Sequence, residues 1–418
     1  MGRNIVICSD GTGNRGGKTR GTNVWRIFNA VERHGKGIRQ ITYYDDGVGT
    51  GSPRWWRLFT GAFGHGLARN IREAYAFLAM NYEPGDNIFL FGFSRGAFTV
   101  RALAGLICRY GIATRDAVTG PRREREAVLR CILQAYRSKD GSRRQRARET
   151  AAMQLGAKWS CFRAGEVQFI GVWDTVDAVG MPFDELKRTL SWLWSFTDNL
   201  LWNFRDYEVP KCVRHAYQAL ALDDERKTFH PVFWGTPSER KGPSAGEGEK
   251  PNGFEPGRGC EPSDKQKEKR KRKRKQEREE KQEQKTEQVW FAGAHANVGG
   301  GYPKDSLAFV SLDWMMGRAV ACGLRFTDGV REEVQRTADA HGRLYDSRAG
   351  WGAFYRPALR NPYAQDCCPR VHVSVQERID RGTDYYAPKV ITPENYVVVS
   401  TDAPSPYAQQ ANGEGDGD

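Results

Sequence analysis

Residues 87–98 read Asn-Ile-Phe-Leu-Phe-Gly-Phe-Ser-Arg-Gly-Ala-Phe, an apolar run that ends in a Gly-x-Ser-x-Gly pattern. The following residues, 99–106, are typical of a helix. A strand, a sharp turn with Ser94 at its apex and a helix together form the arrangement called a nucleophile elbow. Gly92 and Gly96 suit it, because a Cβ on either side would clash with the adjoining backbone. The pattern predicts that Ser94 is a nucleophile, the alternative being a tight turn with an exposed serine.

Outward from this stretch, apolar strand-like runs alternate with amphipathic helical ones. This alternation predicts βαβ units and a mostly parallel sheet flanked by helices, an α/β fold. We expect one domain over residues 1–401. The predicted strands are 4–9, 38–44, 87–93, 167–173, 231–234, 289–292 and 371–375, and the predicted helices are 23–31, 67–82, 99–106, 122–150, 213–221 and 307–320.

Two segments break this pattern. Residues 236–288 hold Gly, Pro, Ser and charge with almost no apolar residues, so we predict a disordered charged insertion. Residues 402–418 read as a disordered acidic tail. The net charge of +13 is partly local, because residues 265–287 carry 12 Lys and Arg against 6 Glu. Charge therefore says little about the partner of the folded part, and a nucleic-acid partner is not favoured.

Other features of the sequence bear on the cellular compartment of the protein and on its need for a metal or cofactor. The start of the chain lacks a signal-peptide pattern, and no apolar run reaches the roughly 20 residues that span a bilayer. Nine cysteines without regular spacing indicate reduced thiols, and the absence of a CxxC pair argues against structural zinc. We therefore predict an intracellular, cytoplasmic protein without metal or cofactor. The nucleus is the alternative, since Lys269–Lys275 is an unbroken basic run.

A serine nucleophile needs a neighbouring base and a third group that orients the base. Sites in open α/β sheets form beyond the carboxyl ends of the strands, so the base and the acid are expected among the His and Asp residues that follow a strand. Asp174 directly follows one predicted strand, and His295 closely follows another. The order Ser94, Asp174, His295 is that of α/β-hydrolases.

Other residues remain open for the same two roles. The alternatives for the base are His372, inside a late strand-like run, and His215, on a predicted helix. The alternatives for the acid are Asp177, Asp223 and Asp224.

Acyl transfer also needs donors for a developing oxyanion. The amide of Arg95 is one by its position after the nucleophile. The glycine-rich turn at residues 10–14 suits the second donor, with the amides of Gly11 or Thr12 facing the ligand and Asp10 holding the turn. A phosphate loop is excluded because no GxxxxGK[ST] pattern is present, and the glycines at 299–301 do not open a nucleotide-binding helix.

The blocks at residues 9–14, 91–97, 171–176 and 290–302 resemble, in order, the signature blocks of an uncharacterised α/β-hydrolase domain family. That family is related to the catalytic domain of type VI secretion phospholipase effectors. The segments 219–226 and 374–378 also fit. The resemblance implies a serine hydrolase of ester or phospholipid acyl bonds with Ser94, Asp174 and His295 as its triad. One position departs from the family, since Asn297 stands where Asp is usual.

The segment 182–204 bears on substrate, because Trp192, Trp194 and Trp202 lie among leucines. It suits an apolar lid or cap, or a surface that enters lipid, and the alternative is a buried helix pair. The basic insertion is a second candidate for contact with an anionic membrane. The sequence thus predicts a serine esterase, phospholipase-like in type. The alternative is a weakly active or inactive hydrolase fold whose insertion binds nucleic acid or membrane.

Overall fold

The computed structural model describes residues 2–11, 21–35, 37–47, 63–119, 166–176, 208–235, 284–364, 366–392 and 395–401, with a few positions between 121 and 133. Its centre is a sheet of eight strands in the order β2-β1-β3-β4-β5-β6-β7-β8, in which all neighbours pair in parallel. The strands are β1 (Asn4–Ser9), β2 (Gln40–Asp45), β3 (Asn87–Phe93), β4 (Val167–Trp173), β5 (Val213–Ala221), β6 (Lys285–Phe291), β7 (Arg370–His372) and β8 (Val397–Val399).

Helices cover both faces of the sheet. They are α1 (Asn23–Ala30), α2 (Phe63–Asn81), α3 (Arg95–Tyr110), α4 (Arg115–Val118), α5 (His295–Gly299), α6 (Ser306–Ala321), α7 (Val330–Thr337) and α8 (Val373–Asp380). On one face Ile88 and Leu90 belong to a core with α2 and α3, and on the other Phe89 and Phe91 belong to a core with α1 and α6. This alternation along β3 is the period of two expected of a strand buried on both sides.

The strand order reverses between β1, which pairs with both β2 and β3, and the strands that follow. Such a switch point opens a crevice at the carboxyl ends of parallel strands, where ligands of α/β proteins bind. The loop after β1 and the turn after β3 meet there. The fold therefore places the turn of Ser94 beside the start of the predicted glycine-rich loop, at Ser9 and Asp10.

Most of the predicted elements agree with the structure, but residues 213–221 were predicted as a helix and form strand β5. Apolar residues at 213, 216, 217 and 220 fit a helical spacing. Residues 215–221 are all buried, because β5 lies between β4 and β6 with both of its faces covered. A strand buried on both faces loses the alternation that distinguishes it from a buried helix.

Smaller differences concern the ends of elements. Residues 231–234, predicted as a strand, form only an isolated bridge at Pro231, and the carbonyls of Val232 and Phe233 accept from the Arg101 side chain instead. Strand β6 begins at Lys285, so the last residues of the predicted insertion belong to the sheet. The run at 371–375 divides between β7 and α8.

Several predictions lie outside the described residues. These are Asp177, the tryptophan-rich segment 182–204 with its predicted lid or cap, nearly all of 122–150, the insertion as far as residue 283, and the tail at 402–418. In the part of the chain that is described, no helix combines the length and apolarity needed to cross a bilayer.

Gly96 tests how closely the turn packs. A Cβ at this position would overlap the Ser9 carbonyl and lie 2.6 Å from the Asp10 carbonyl oxygen, and backbone cannot move aside as a side chain can. We expect Gly96→Ala to lower the free energy of unfolding by about 1–3 kcal/mol, measured by chemical denaturation.

Gly317→Ala is the matched control. Gly317 lies in α6, where the new Cβ would meet only the end of the flexible Arg331 side chain, at 2.9 Å. Alanine favours a helix over glycine by up to about 1 kcal/mol, so this variant should be neutral or stabilised. If Gly96→Ala and Gly317→Ala lowered the free energy of unfolding equally, close packing of the turn at Gly96 would be contradicted.

Candidate active site

Ser94 forms the apex of the turn between β3 and α3. Its backbone angles are φ 57° and ψ −120°, which a residue with a side chain rarely adopts. Its amide donates to the Trp173 carbonyl at 3.0 Å, and its side chain is largely buried. A Cβ at Gly92 would lie 2.6 Å from the Gly96 carbonyl oxygen, so the turn needs its glycines for close approach. The sharp strand–turn–helix that the sequence predicts is therefore present.

Asp174 follows β4 and also has a positive φ, 41°. Phe93 and Trp173 are in register on adjacent strands, so Ser94 and Asp174 lie at neighbouring strand ends. The Asp174 side chain is fully buried, and its Oδ1 accepts from the Ala221 amide at 3.1 Å. Non-glycine residues with positive φ concentrate at functional sites, because the surrounding structure must hold them in place.

His295 is the first residue of α5, shortly after β6. Its Nδ1 lies 2.5 Å from Asp174 Oδ2. The ring lies between Phe93, with centroids 4.6 Å apart, and the edge-on ring of Phe229 at 5.1 Å. The His295 amide donates to Asp224 Oδ2 at 3.1 Å. Both the backbone and the ring of His295 are thus held at the rim of the sheet that carries Ser94.

A fourth residue, Arg360, was missed by the sequence analysis. Its side chain is fully buried, with Nη1 2.6 Å from Asp174 Oδ1 and Nη2 2.8 Å from Asp174 Oδ2. The same nitrogens donate to the carbonyls of Ala221 (2.5 Å) and Phe229 (2.7 Å). Arg360 lies 186 residues from Asp174, outside every helix and strand. No motif or periodicity marks it, so only its unusual burial in the folded chain reveals it.

The charges of this cluster set its protonation. Burial raises the pKa of Asp174, but the Arg360 charge and the hydrogen bonds from His295 and Arg360 outweigh it, so this pKa lies below that of an ordinary carboxyl. Burial lowers the pKa of His295 below its usual 6.5, although Asp174 opposes the shift. At neutral pH the ring is therefore uncharged. Its Nδ1–H donates to the carboxylate, and Nε2 is left as the basic nitrogen.

The alternative bases occupy other positions. His372 is buried with Nδ1 2.9 Å from Ser374 Oγ and Nε2 2.9 Å from Thr401 Oγ1, and burial lowers its pKa to about 3. His215 was predicted on a helix but lies in the amino-terminal half of β5, away from the rim where Ser94 lies. Of the candidate bases, His295 is the one in contact with Asp174.

The alternative acids hold the His295 loop. Asp224 accepts from the amide of His295 and pairs with Arg226 at 2.6 Å, while Asp223 accepts from the Gly293 amide at 2.6 Å and the Tyr386 hydroxyl at 2.8 Å. Burial raises the pKa of Asp224, but its bonds to Arg226 outweigh this and leave it below the ordinary value. These carboxylates position the backbone on either side of the ring.

Of the residues predicted to form the oxyanion site, the structure describes Arg95, Asp10 and Gly11. Arg95 opens α3, where helical geometry provides no acceptor within the helix for its amide. Asp10 is buried and accepts from the Gly11 amide (2.6 Å), the Thr22 hydroxyl (2.5 Å) and the Tyr44 hydroxyl (2.7 Å). These bonds tie Asp10 to α1 and β2, and one of them occupies the Gly11 amide that we predicted as a donor. Thr12 lies outside the described residues.

Neither a metal nor a cofactor was predicted. Within the described ranges, no group of three or more His, Cys, Asp and Glu side chains is placed so that it would hold a metal ion.

Asn297, where the family resemblance leads one to expect Asp, is fully buried. Its Oδ1 accepts from the amides of Ala294 and Tyr345, each at 3.2 Å, and its Nδ2 donates to the Arg343 carbonyl at 2.9 Å. The amide side chain therefore satisfies two donors and one acceptor. It ties α5 to the segment around residue 344.

Asn297→Asp tests this arrangement. A carboxylate would face the Arg343 carbonyl without a hydrogen, so we expect a loss of about 1–3 kcal/mol in the free energy of unfolding at neutral pH. The pKa of this carboxyl would be raised, so the loss should shrink as pH falls and the carboxyl gains a proton. Asn361→Asp is the control, because Asn361 is exposed and its Oδ1 only accepts, from Tyr363. A loss that grows towards acid pH would contradict the account.

The chain is similar in sequence to a known protein. A protein of Saccharomyces cerevisiae, the uncharacterized protein YEL023C, is 32% identical over 244 residues, which cover 54% of this chain and 32% of the yeast protein. The matched part is thus about a third of that relative's length.

Two solved structures are also similar in part. An uncharacterized protein from Pseudomonas aeruginosa has 15% identity and a TM-score of 0.41, over 81% of this chain and 49% of that one. The Tle1 effector bound to the VgrG spike of the type 6 secretion system has 18% identity and a TM-score of 0.30, over 73% of this chain and 52% of that one.

The family model for the catalytic domain of Tle1-like phospholipase effectors of the type VI secretion system matches residues 3–318. This range contains Ser94, Asp174 and His295. The chain therefore belongs to the family of Tle1-like phospholipase effector catalytic domains.

Proposed function

We propose that the chain is a serine hydrolase that cleaves carboxylic esters, with the acyl esters of phospholipids as its substrate class. The observation that carries the proposal is the 2.5 Å contact between His295 Nδ1 and Asp174 Oδ2, at the same rim as the strained turn of Ser94. Membership of the Tle1-like family supports the lipid ester.

In the proposed reaction His295 Nε2 takes the proton of the Ser94 hydroxyl as its oxygen attacks the ester carbonyl. The tetrahedral intermediate collapses when His295 returns that proton to the leaving alcohol, and Ser94 keeps the acyl group. A water molecule then attacks the acyl-enzyme with His295 again as the base, and the acyl–oxygen bond to Ser94 breaks as His295 returns the proton to Ser94 Oγ and the carboxylic acid leaves. Asp174 holds the ring in the tautomer that leaves Nε2 basic, and it stabilises the imidazolium that forms in each step.

The developing oxyanion would be bound by the amide of Arg95 at the amino end of α3. We propose that the second donor comes from the loop after β1, because a Cβ at Gly96 would lie only 2.6 Å from the Asp10 carbonyl oxygen, which shows how close that loop lies. Since Asp10 occupies the amide of Gly11, Thr12 is the better candidate of the two.

Access to lipid is a further part of the proposal. The tryptophan-rich segment 182–204 and the basic insertion remain the two candidates for peripheral contact with a membrane. The cytoplasm is the proposed compartment, with the nucleus as the alternative. Nothing in the described site favours a nucleic-acid substrate.

Labelling of Ser94 tests the proposal. A fluorophosphonate probe should modify the wild-type protein stoichiometrically and leave Ser94→Ala unlabelled, as measured by intact mass. The modified protein should lose hydrolysis of p-nitrophenyl esters and of phosphatidylcholine vesicles together. Ser311→Ala is a matched control, since Ser311 is a buried serine bonded to the Val298 carbonyl. A folded wild-type protein that resists the probe would falsify the proposal.

Deletion of residues 240–283 distinguishes the proposed hydrolase from the alternative, in which the fold is a binding scaffold. Hydrolysis should survive the deletion, because the strand ends that carry the site lie outside it. Loss of vesicle binding together with an absence of labelling in the full chain would favour the scaffold instead.

The pH dependence follows from His295. Because the base must be uncharged and its pKa lies below 6.5, kcat/KM should be constant near pH 7 and fall only when pH drops below 6.5. A pH series on a soluble ester measures the inflection, and the phosphonate labelling rate should follow the same curve. An inflection above pH 7 would contradict the lowered pKa of His295.

A further inference from the structure

Arg360 belongs to no sequence motif, yet its side chain bonds directly to the candidate site. Each terminal nitrogen of its guanidinium bonds one oxygen of Asp174 and one backbone carbonyl, that of Ala221 at the end of β5 or that of Phe229 in the segment that follows. A planar fork therefore joins the end of β4 to the end of β5 and to the segment that follows β5. Phe229 in turn packs against the ring of His295.

We propose that Arg360 is a positioning residue of the hydrolase: it keeps Asp174 ionised in one fixed orientation, and through Asp174 it fixes the ring of His295. This inference rests on the proposed function for its catalytic meaning. It also extends the active site beyond residue 318, where the match to the family model ends. Part of the catalytic machinery is thus supplied by the C-terminal region of the chain.

The physical need for Arg360 comes from burial. An ionised carboxylate without access to water is costly unless it is paired and hydrogen-bonded. The hydrogen bonds of Asp174 to the Ala221 amide and to a neutral His295 do not supply a compensating charge. Arg360 does, and its bidentate geometry also prevents the carboxylate from rotating. Lysine would supply the charge but not the fork.

The charge of Arg360 also affects the base. Among the described residues, the charged groups that act on the Asp174–His295 pair are Arg360 in the loop before β7 and Asp224 and Arg226 after β5, with Asp223 acting on Arg360. Tyr355 interacts in turn with Arg226, Asp224 and Arg95. Of these, Arg360 is the cation bonded to Asp174. Removing it leaves the negatively charged pair without a bonded cation. Whichever of its two members takes the proton, the pair will then bind it at a higher pH.

The test is an NMR titration of the His295 ring, assigned by its loss in His295→Gln. In the wild-type protein the ring should titrate below pH 6.5, and in Arg360→Met the titration should move to higher pH. Arg360→Lys should stay near the wild-type value because it keeps the charge. This readout needs no hydrolysis, so it judges the role of Arg360 even if the proposed function fails.

Arg378→Met is the matched control. Arg378 is an equally buried arginine, but it bonds the carbonyls of Ala340 and Gly342 and the carboxylate of Asp384 instead of Asp174. Its removal should lower stability without moving the His295 titration. If Arg360→Met titrates like the wild type, or if Arg378→Met shifts the ring equally, the proposal is overturned.

Kinetics extend the test to catalysis. We expect Arg360→Met to lower kcat by about 100-fold with little change in KM, because the base is misoriented while substrate contacts are kept. Arg360→Lys should recover part of the rate. In an Asp174→Asn background Arg360→Met should cost little more, since its partner is already gone. Full additivity of the two losses would show that Arg360 acts independently of Asp174, against the proposal.

Discussion

The charge of Asp174, which has no access to water, is the constraint on which the site depends. It must be balanced within the protein, and Arg360 supplies the opposite charge, while the neutral His295 ring contributes a hydrogen bond. These two residues reach Asp174 from separate, late parts of the chain. The pairing therefore requires that the ends of β4, β5 and β6 and the loop before β7 meet correctly, which ties the chemistry to the completed fold.

The sheet provides this meeting point for a topological reason. All its strands run in parallel, so residues that follow β3, β4 and β6 meet at one edge even though they are far apart in sequence. Ser94, Asp174 and His295 could be selected from the sequence because each closes an apolar run, and only the arrangement at a shared edge is needed to bring them together. The flanking glycines permit the strained backbone at Ser94, because a Cβ at either position would clash with neighbouring backbone.

The features that could not be predicted from the sequence also have physical explanations. The burial of both faces of β5 removed the alternation that would have marked it as a strand. Arg360 belongs to no element, and one arginine in a loop normally indicates a solvated side chain, so its role depends on a contact across 186 residues. The Asp10 bond to the Gly11 amide depends on a turn geometry that the glycine pattern permits but does not specify.

The central claim is that Ser94, His295 and Asp174 act as one unit. The most direct measurement is a crystal structure of the protein after reaction with a fluorophosphonate. The account predicts phosphorus bonded to Ser94 Oγ, a phosphoryl oxygen within hydrogen-bond distance of the Arg95 amide, and His295 Nδ1 still on Asp174. An adduct on another side chain, or a His295 ring turned away from both Asp174 and the phosphonate, would contradict it.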